Sequence, residues 1–183
     1  MIIDTHTHFY DPNRPQGVPW PPRDNRLLYR TVLPPEYEGQ SRPLGIIGTG
    51  VVEASAWIED NRWLLDLAQG ESGILGIVGR LDPLAEGFAE QIAGLAAEPL
   101  FRGIRCGGNV LAEPAGRRLV ASLRRLADLG LTLDVLAAPT QLPALAALGR
   151  LVPDLTIVIN HLGHVPVDGN APPETWLTGL RAV

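Results

Sequence analysis

The chain has 183 residues, 45% apolar and 19% charged, with a formal charge of -5 and a pI near 5.3, an ordinary globular composition. The acidic balance excludes a basic nucleic-acid footprint, no apolar run reaches the roughly 20 residues of a membrane span, and the opening Met-Ile-Ile-Asp lacks the regions of a secretory signal. Cys106 is the only cysteine, which excludes a disulfide framework and an all-thiolate metal site. The expectation is one cytoplasmic domain over residues 1–183 that acts on a small molecule, with neither nucleic acid nor membrane as partner.

Residues 2–9 (IIDTHTHF) begin as a short apolar strand. Residues 11–45 follow, with eight of the 17 prolines and with Trp20, Tyr29 and Tyr37. A structureless stretch of this length is expected to be either a pinned surface loop or a lid, and its departure from the end of the first strand favours a lid. Residues 46–56 read as the second strand, followed by a helix over Asp60–Gln69 that Gly70 stops. Further strands are predicted at Ile74–Asp82, Phe101–Cys106, Leu131–Ala137 and Thr156–His161. Helices are predicted at Leu84–Glu98, Pro114–Leu129, Thr140–Leu151 and Glu174–Val183. In the second of these, Leu119, Leu123 and Leu126 form one stripe, four arginines between 117 and 125 face solvent, and Gly130 ends the helix. Short runs that are apolar on both faces are what buried parallel strands look like. Their alternation with helices implies an α/β fold of the (β/α)8 TIM-barrel type, truncated after about six βα units.

The four histidines form two pairs, His6 with His8 and His161 with His164. Alternation along a strand puts Asp4, His6 and His8 on one face, which in a barrel points inward at the catalytic end. His161 leaves another strand at the same rim, so the two pairs are expected to converge. Two imidazoles there suit either a divalent metal or hydrogen bonds to a substrate carbonyl. A lone histidine is more often a satisfied core or loop residue, but two pairs at strand ends reverse those odds. Arg105 is either a surface partner for an acid or a site residue, and its place at the end of a buried strand, where it needs pairing, favours the site. Glu53 and Asp134 stand at strand ends, each as a mouth residue or a rim charge. Asn160 is expected to hydrogen-bond local backbone, and Cys106 to be packing rather than a nucleophile.

The opening IIDTHTHFYDP, the Gly103-Ile104-Arg105 run, the INHLG of residues 159–163 and VVEASAWIEDNRWLLDLA of residues 51–68 together resemble the amidohydrolase-related lactonases, a group with sugar-acid and pyrone-dicarboxylate lactonases. The resemblance implies a (β/α)8 barrel that opens a lactone. It gives His6 and His8 as the first-strand pair and His161 as the imidazole at the scissile carbonyl. It makes Arg105 a binder of a substrate carboxylate or hydroxyl; Glu53 and His164, from their places at strand ends, are further candidates for substrate binding. In the family an aspartate on the eighth strand activates water. That strand is not expected within these 183 residues, so the general base has no expected owner here.

On cofactor the reading has two branches: one divalent metal, zinc, held by His6, His8 and His161, or none. The superfamily's metal-bridging lysine or glutamate on the fourth strand has no counterpart, since Arg105 and Cys106 occupy that place. The competing functions are a metal-dependent amidase or decarboxylase of the same superfamily, and an inactive remnant or homo-oligomer whose partner copies cover the sheet edges.

Overall fold

In the computed structural model, which describes residues 1–111 and 116–183, six strands alternate with six α-helices among the described residues. The chain forms two compact units, Met1–Arg80 with Glu98–Arg102, and Leu81–Ala97 with Gly103–Val183. Within each unit, strands adjacent in sequence pair in parallel. The fold class is therefore α/β, with the connectivity of a (β/α)8 barrel cut short after six βα repeats.

The first unit contains β1 (Ile2–Thr7), α1 (Pro34–Ser41), β2 (Ile46–Val52), α2 (Glu59–Ala68) and β3 (Ile74–Gly79). Val51 and Val52 are consecutive and both buried, so β2 is covered on both faces. Helix α2 packs with Leu64, Leu65 and Ala68. Its Asn61 Nδ2 donates to the Arg80 carbonyl at 2.8 Å and its Oδ1 accepts from the Arg80 amide at 2.7 Å, which satisfies the backbone just past β3.

The proline-rich segment is not structureless. Its Pro34 and Pro35 start α1, where a missing N–H costs nothing. An antiparallel bridge between Tyr10 and Val32 pins the segment's base, and Arg14 Nη2 pairs with Asp60 Oδ1 at 2.5 Å while lying over the Trp63 ring.

The second unit contains α3 (Phe88–Ala96), most of β4 (Phe101–Gly107), α4 (Arg117–Asp128), β5 (Thr132–Leu136), α5 (Leu142–Leu151), β6 (Ile157–Ile159) and α6 (Glu174–Ala182). Helix α3 starts four residues later than the sequence suggests, because Asp82 Oδ1 accepts from the Leu84 amide and closes a turn there. The expected start of α4 at Pro114 lies outside the described residues. Strand β6 has three residues rather than six. On β5, Leu133, Asp134 and Val135 are all buried, so this strand too is enclosed on both faces.

Helix α4 buries Leu119, Leu123 and Leu126 as its spacing requires. It ends in a Schellman turn: the Leu131 amide bonds to the Leu126 carbonyl, and the Gly130 amide to the Ala127 carbonyl, both at 2.9 Å. Gly130 takes φ +67° there, which a side chain would strain. Gly130→Ala is expected to lower stability by about 1–2 kcal/mol, read as a shift of the urea midpoint at unchanged slope.

Candidate active site

Two histidine clusters stand at strand ends, one in each unit. In the first, β1 pairs with β2 through Asp4↔Thr49 and Thr7↔Val51. Three steps on β1 thus match two on β2, an extra residue of the kind that re-aims side chains beside active sites. Asp4 fits this irregularity. Its Oδ1 accepts from the His6 amide at 3.1 Å, and its Oδ2 from the Tyr37 hydroxyl of α1 at 3.2 Å. Both carboxyl oxygens of Asp4 are thus engaged, one by backbone and one by a side chain.

His8 lies one residue past the strand end, and its ring meets that of His6 edge-on at 5.0 Å. His8 Nδ1 lies 2.8 Å from the Val52 carbonyl, which can only accept. Nδ1 therefore carries a proton, which in the neutral ring leaves the lone pair on Nε2, the tautomer usual for a metal-binding or proton-accepting histidine. Trp20, from the proline-rich segment, tilts over His8 at 5.2 Å. The segment is thus both pinned at its base and placed over one of the histidines. Glu53 follows β2 and is buried, its amide bonded to the Val78 carbonyl at 2.8 Å.

In the second unit, Arg105 is buried on β4 opposite Asp134 of β5. Its Nη2 lies 3.1 Å from His161 Nε2. Guanidinium has donors only, so His161 accepts through Nε2 and is neutral. Partial burial, then the charge of Arg105, then His164 hold its pKa below the ordinary 6.5. The His164 ring lies 5.8 Å from that of His161, with Nδ1 at 3.2 Å from the Ala137 carbonyl. Cys106 is buried, its thiol toward the Leu81 carbonyl at 3.7 Å, as packing requires.

The segment that carries these histidines is unlike anything expected from sequence. His161, Leu162, Gly163 and His164 all have φ between +51° and +63°, a complete left-handed turn. L-residues adopt this region at about 1–2 kcal/mol each and normally singly, and such strain concentrates at functional sites. Only Gly163 signals it in the sequence, and a glycine predicts one such residue, not four. Asn160 also differs from expectation. Its Nδ2 donates to Asp134 Oδ2 at 2.9 Å, a side chain 26 residues away, rather than to local backbone. Asp134 is accordingly a buried anchor and not a rim charge.

The proposed zinc set of His6, His8 and His161 can be tested against these contacts. Among the described residues no group of three His, Cys, Asp or Glu side chains is arranged to hold a metal ion. His8 is oriented as a ligand would be, but His161 turns its Nε2 to a guanidinium, a cation in the place a third ligand would reserve for the metal. As it stands here, His161 is not turned out as a third ligand.

The family model described as amidohydrolase matches residues 3–181. The chain belongs to the amidohydrolase family. It is 34% identical over 184 aligned positions to the L-fucono-1,5-lactonase of Burkholderia ambifaria, covering 95% of this chain and 60% of that protein. It also superposes on an amidohydrolase of Burkholderia multivorans with bound zinc, at TM-score 0.84 and 26% identity, over 98% of this chain and 64% of that one. A probable 2-pyrone-4,6-dicarboxylic acid hydrolase of Acinetobacter baumannii with citric acid bound shares the fold, at TM-score 0.77 and 18% identity, over 99% of this chain and 66% of that one. The chain thus spans about 60% of the length of the curated relative. No helix among the described residues is long and apolar enough to cross a membrane.

The state of His161 yields a sign-definite prediction. Its folded pKa lies below the unfolded value near 6.5, so the unfolded chain binds the proton more readily. Its contribution to stability is complete above pH 6.5 and is lost as pH falls through the folded value. An NMR titration should place the His161 midpoint below 6.5, and Arg105→Ala should move it upward. A wild-type midpoint above 6.5 would contradict the contact.

Proposed function

We propose that this chain serves a lactone hydrolase, with sugar-acid lactones as its substrate class. The observation that carries the reading is the Arg105–His161 contact, a buried cation facing a neutral imidazole at a strained strand end. The 34% identity to a fuconolactonase supports sugar-acid lactones as the substrate class.

Opening a lactone requires water to attack the carbonyl carbon. Negative charge then develops on the carbonyl oxygen, and the ring oxygen leaves with a proton to give a hydroxy acid. In this reading the carbonyl oxygen, or a carboxylate beside it, replaces His161 Nε2 as acceptor of the Arg105 N–H. Because the guanidinium is positioned before substrate arrives, it stabilises the developing oxyanion without reorganisation. Neutral His161, whose Nε2 accepts from Arg105, holds the guanidinium in place until that oxygen arrives, and His164 flanks it. These residues supply binding and the electrophilic half of the reaction.

The zinc bound to the Burkholderia multivorans amidohydrolase favours a second reading, a metal-dependent amidase or decarboxylase in which His6 and His8 supply two imidazoles.

The test is acid release from a panel of sugar-acid 1,5-lactones by a protein containing this chain. Arg105→Ala should lower kcat/KM by about 10²–10³-fold, the loss typical of one oxyanion donor. Arg105→Lys should recover little, since an ammonium lacks the planar fork. Activity that survives chelation supports the lactonase reading. Activity abolished by chelation and restored by zinc supports the second. No turnover of any lactone would sink the first.

A further inference from the structure

We propose that Asp134 and Asn160 are positioning residues that hold His161 against Arg105. The proposal rests on the reading of Arg105 and His161 as the reacting pair, and it goes beyond that reading by naming what sets their geometry.

A left-handed run of four residues persists only if its surroundings over-determine it. Three side-chain contacts do so here. Trp176 Nε1 donates to the Leu162 carbonyl at 2.7 Å, and His164 Nδ1 meets the Ala137 carbonyl at 3.2 Å. Both of those lie at the exposed middle and exit of the turn. The third is at its entry, where Asn160 Nδ2 donates to Asp134 Oδ2 at 2.9 Å, with both residues buried.

The entry contact has the geometry of a positioning device. Asp134 stands opposite Arg105 in the β4–β5 register and opposite Val158 in the β5–β6 register. The residue level with Arg105 thus reaches across β6 to the residue immediately before His161. The other carboxyl oxygen is held by the Thr132 hydroxyl at 3.3 Å, which fixes the rotamer.

The orientation of the Asn160 amide is also imposed. A carboxylate accepts only, so Nδ2 must face Asp134 and Oδ1 must point away. Oδ1 is buried and meets no donor among the described residues. An orphaned buried carbonyl is unfavourable. Retaining one means that the direction of the amide, and of the chain it starts, matters more than local satisfaction.

The experiment uses the 183-residue chain, with ¹⁵N-labelled histidine and amide hydrogen exchange as readouts. In the wild type, the His161 spectrum should show Nε2 as the unprotonated, hydrogen-bonded nitrogen. Asp134→Ala should replace that signature with tautomer averaging and speed exchange of the Leu162 and His164 amides by about tenfold, while the Leu123 amide of α4 stays unchanged. Asp134→Asn keeps an acceptor oxygen toward Asn160 and should restore both signals. Asn160→Ala, which leaves β5 intact, should reproduce the Asp134→Ala changes even if that variant fails to fold. The proposal is overturned if Asn160→Ala leaves both readouts as in wild type, or if Asp134→Asn behaves as the alanine variant. None of these readouts needs turnover, so an absence of lactone hydrolysis would remove the functional reading and leave this test standing.

Discussion

A guanidinium keeps its charge at any pH a folded protein meets, and that constraint organises the second unit. With Arg105 Nη2 at 3.1 Å from His161 Nε2, the imidazole has one favourable state, neutral with its lone pair turned to the cation. Protonation would place two positive groups in contact, so the depressed pKa and the hydrogen bond express one constraint. Depth is what makes it effective. Arg105 sits on a strand with Ile104 and Cys106 buried on either side, where a charge without a partner would be unfavourable. The left-handed turn supplies one such partner from the end of β6.

The first unit holds its imidazoles by a different interaction. His8 gives its Nδ1 proton to the Val52 carbonyl, a neutral acceptor, which leaves the electron pair on Nε2. His164 does the same with the Ala137 carbonyl. His161, by contrast, faces a cation. This difference separates two chemistries that the residue types alone leave equivalent. A carbonyl-tethered imidazole suits a metal ion or a proton, whereas a guanidinium-tethered one suits an anionic or carbonyl oxygen that can take its place.

The parts legible in the sequence are those governed by burial periodicity. The runs at Val51–Val52 and Leu133–Val135 are apolar or enclosed at consecutive positions, and they form strands covered on both faces. The Leu119–Leu123–Leu126 stripe and Gly130 place α4 and its end. The histidine pairs were legible as pairs because each is close in sequence. What was not legible depends on contacts between residues far apart. Asn160 finds Asp134 across 26 positions, and Trp20 finds His8 from within a segment whose prolines read as loop. Those same prolines begin α1, because two of them fall in its first turn, a position that composition alone does not reveal. The added residue on β1 between Asp4 and Thr7 is likewise a register irregularity that strand alternation does not reveal.

The left-handed turn shows why the site could not be built without strain. Glycine at every position of residues 161–164 would relieve the backbone, but it would remove both imidazoles. Only Gly163 is spared a side chain; a Cβ there would meet Leu142 and the Trp176 indole at an ordinary 3.5 Å, so its φ of +63° and not a lack of space is what favours glycine. The remaining three residues keep their side chains at a backbone cost of about 1–2 kcal/mol each. That cost is offset by the buried Asp134–Asn160 bond at the entry and by Trp176 of α6 on the Leu162 carbonyl. A right-handed turn of the same length would need neither support, but it would carry residue 161 in another direction from the end of β6. The strain is thus tied to the aim of one side chain, and the buried polar pair beside it is what makes that aim reproducible.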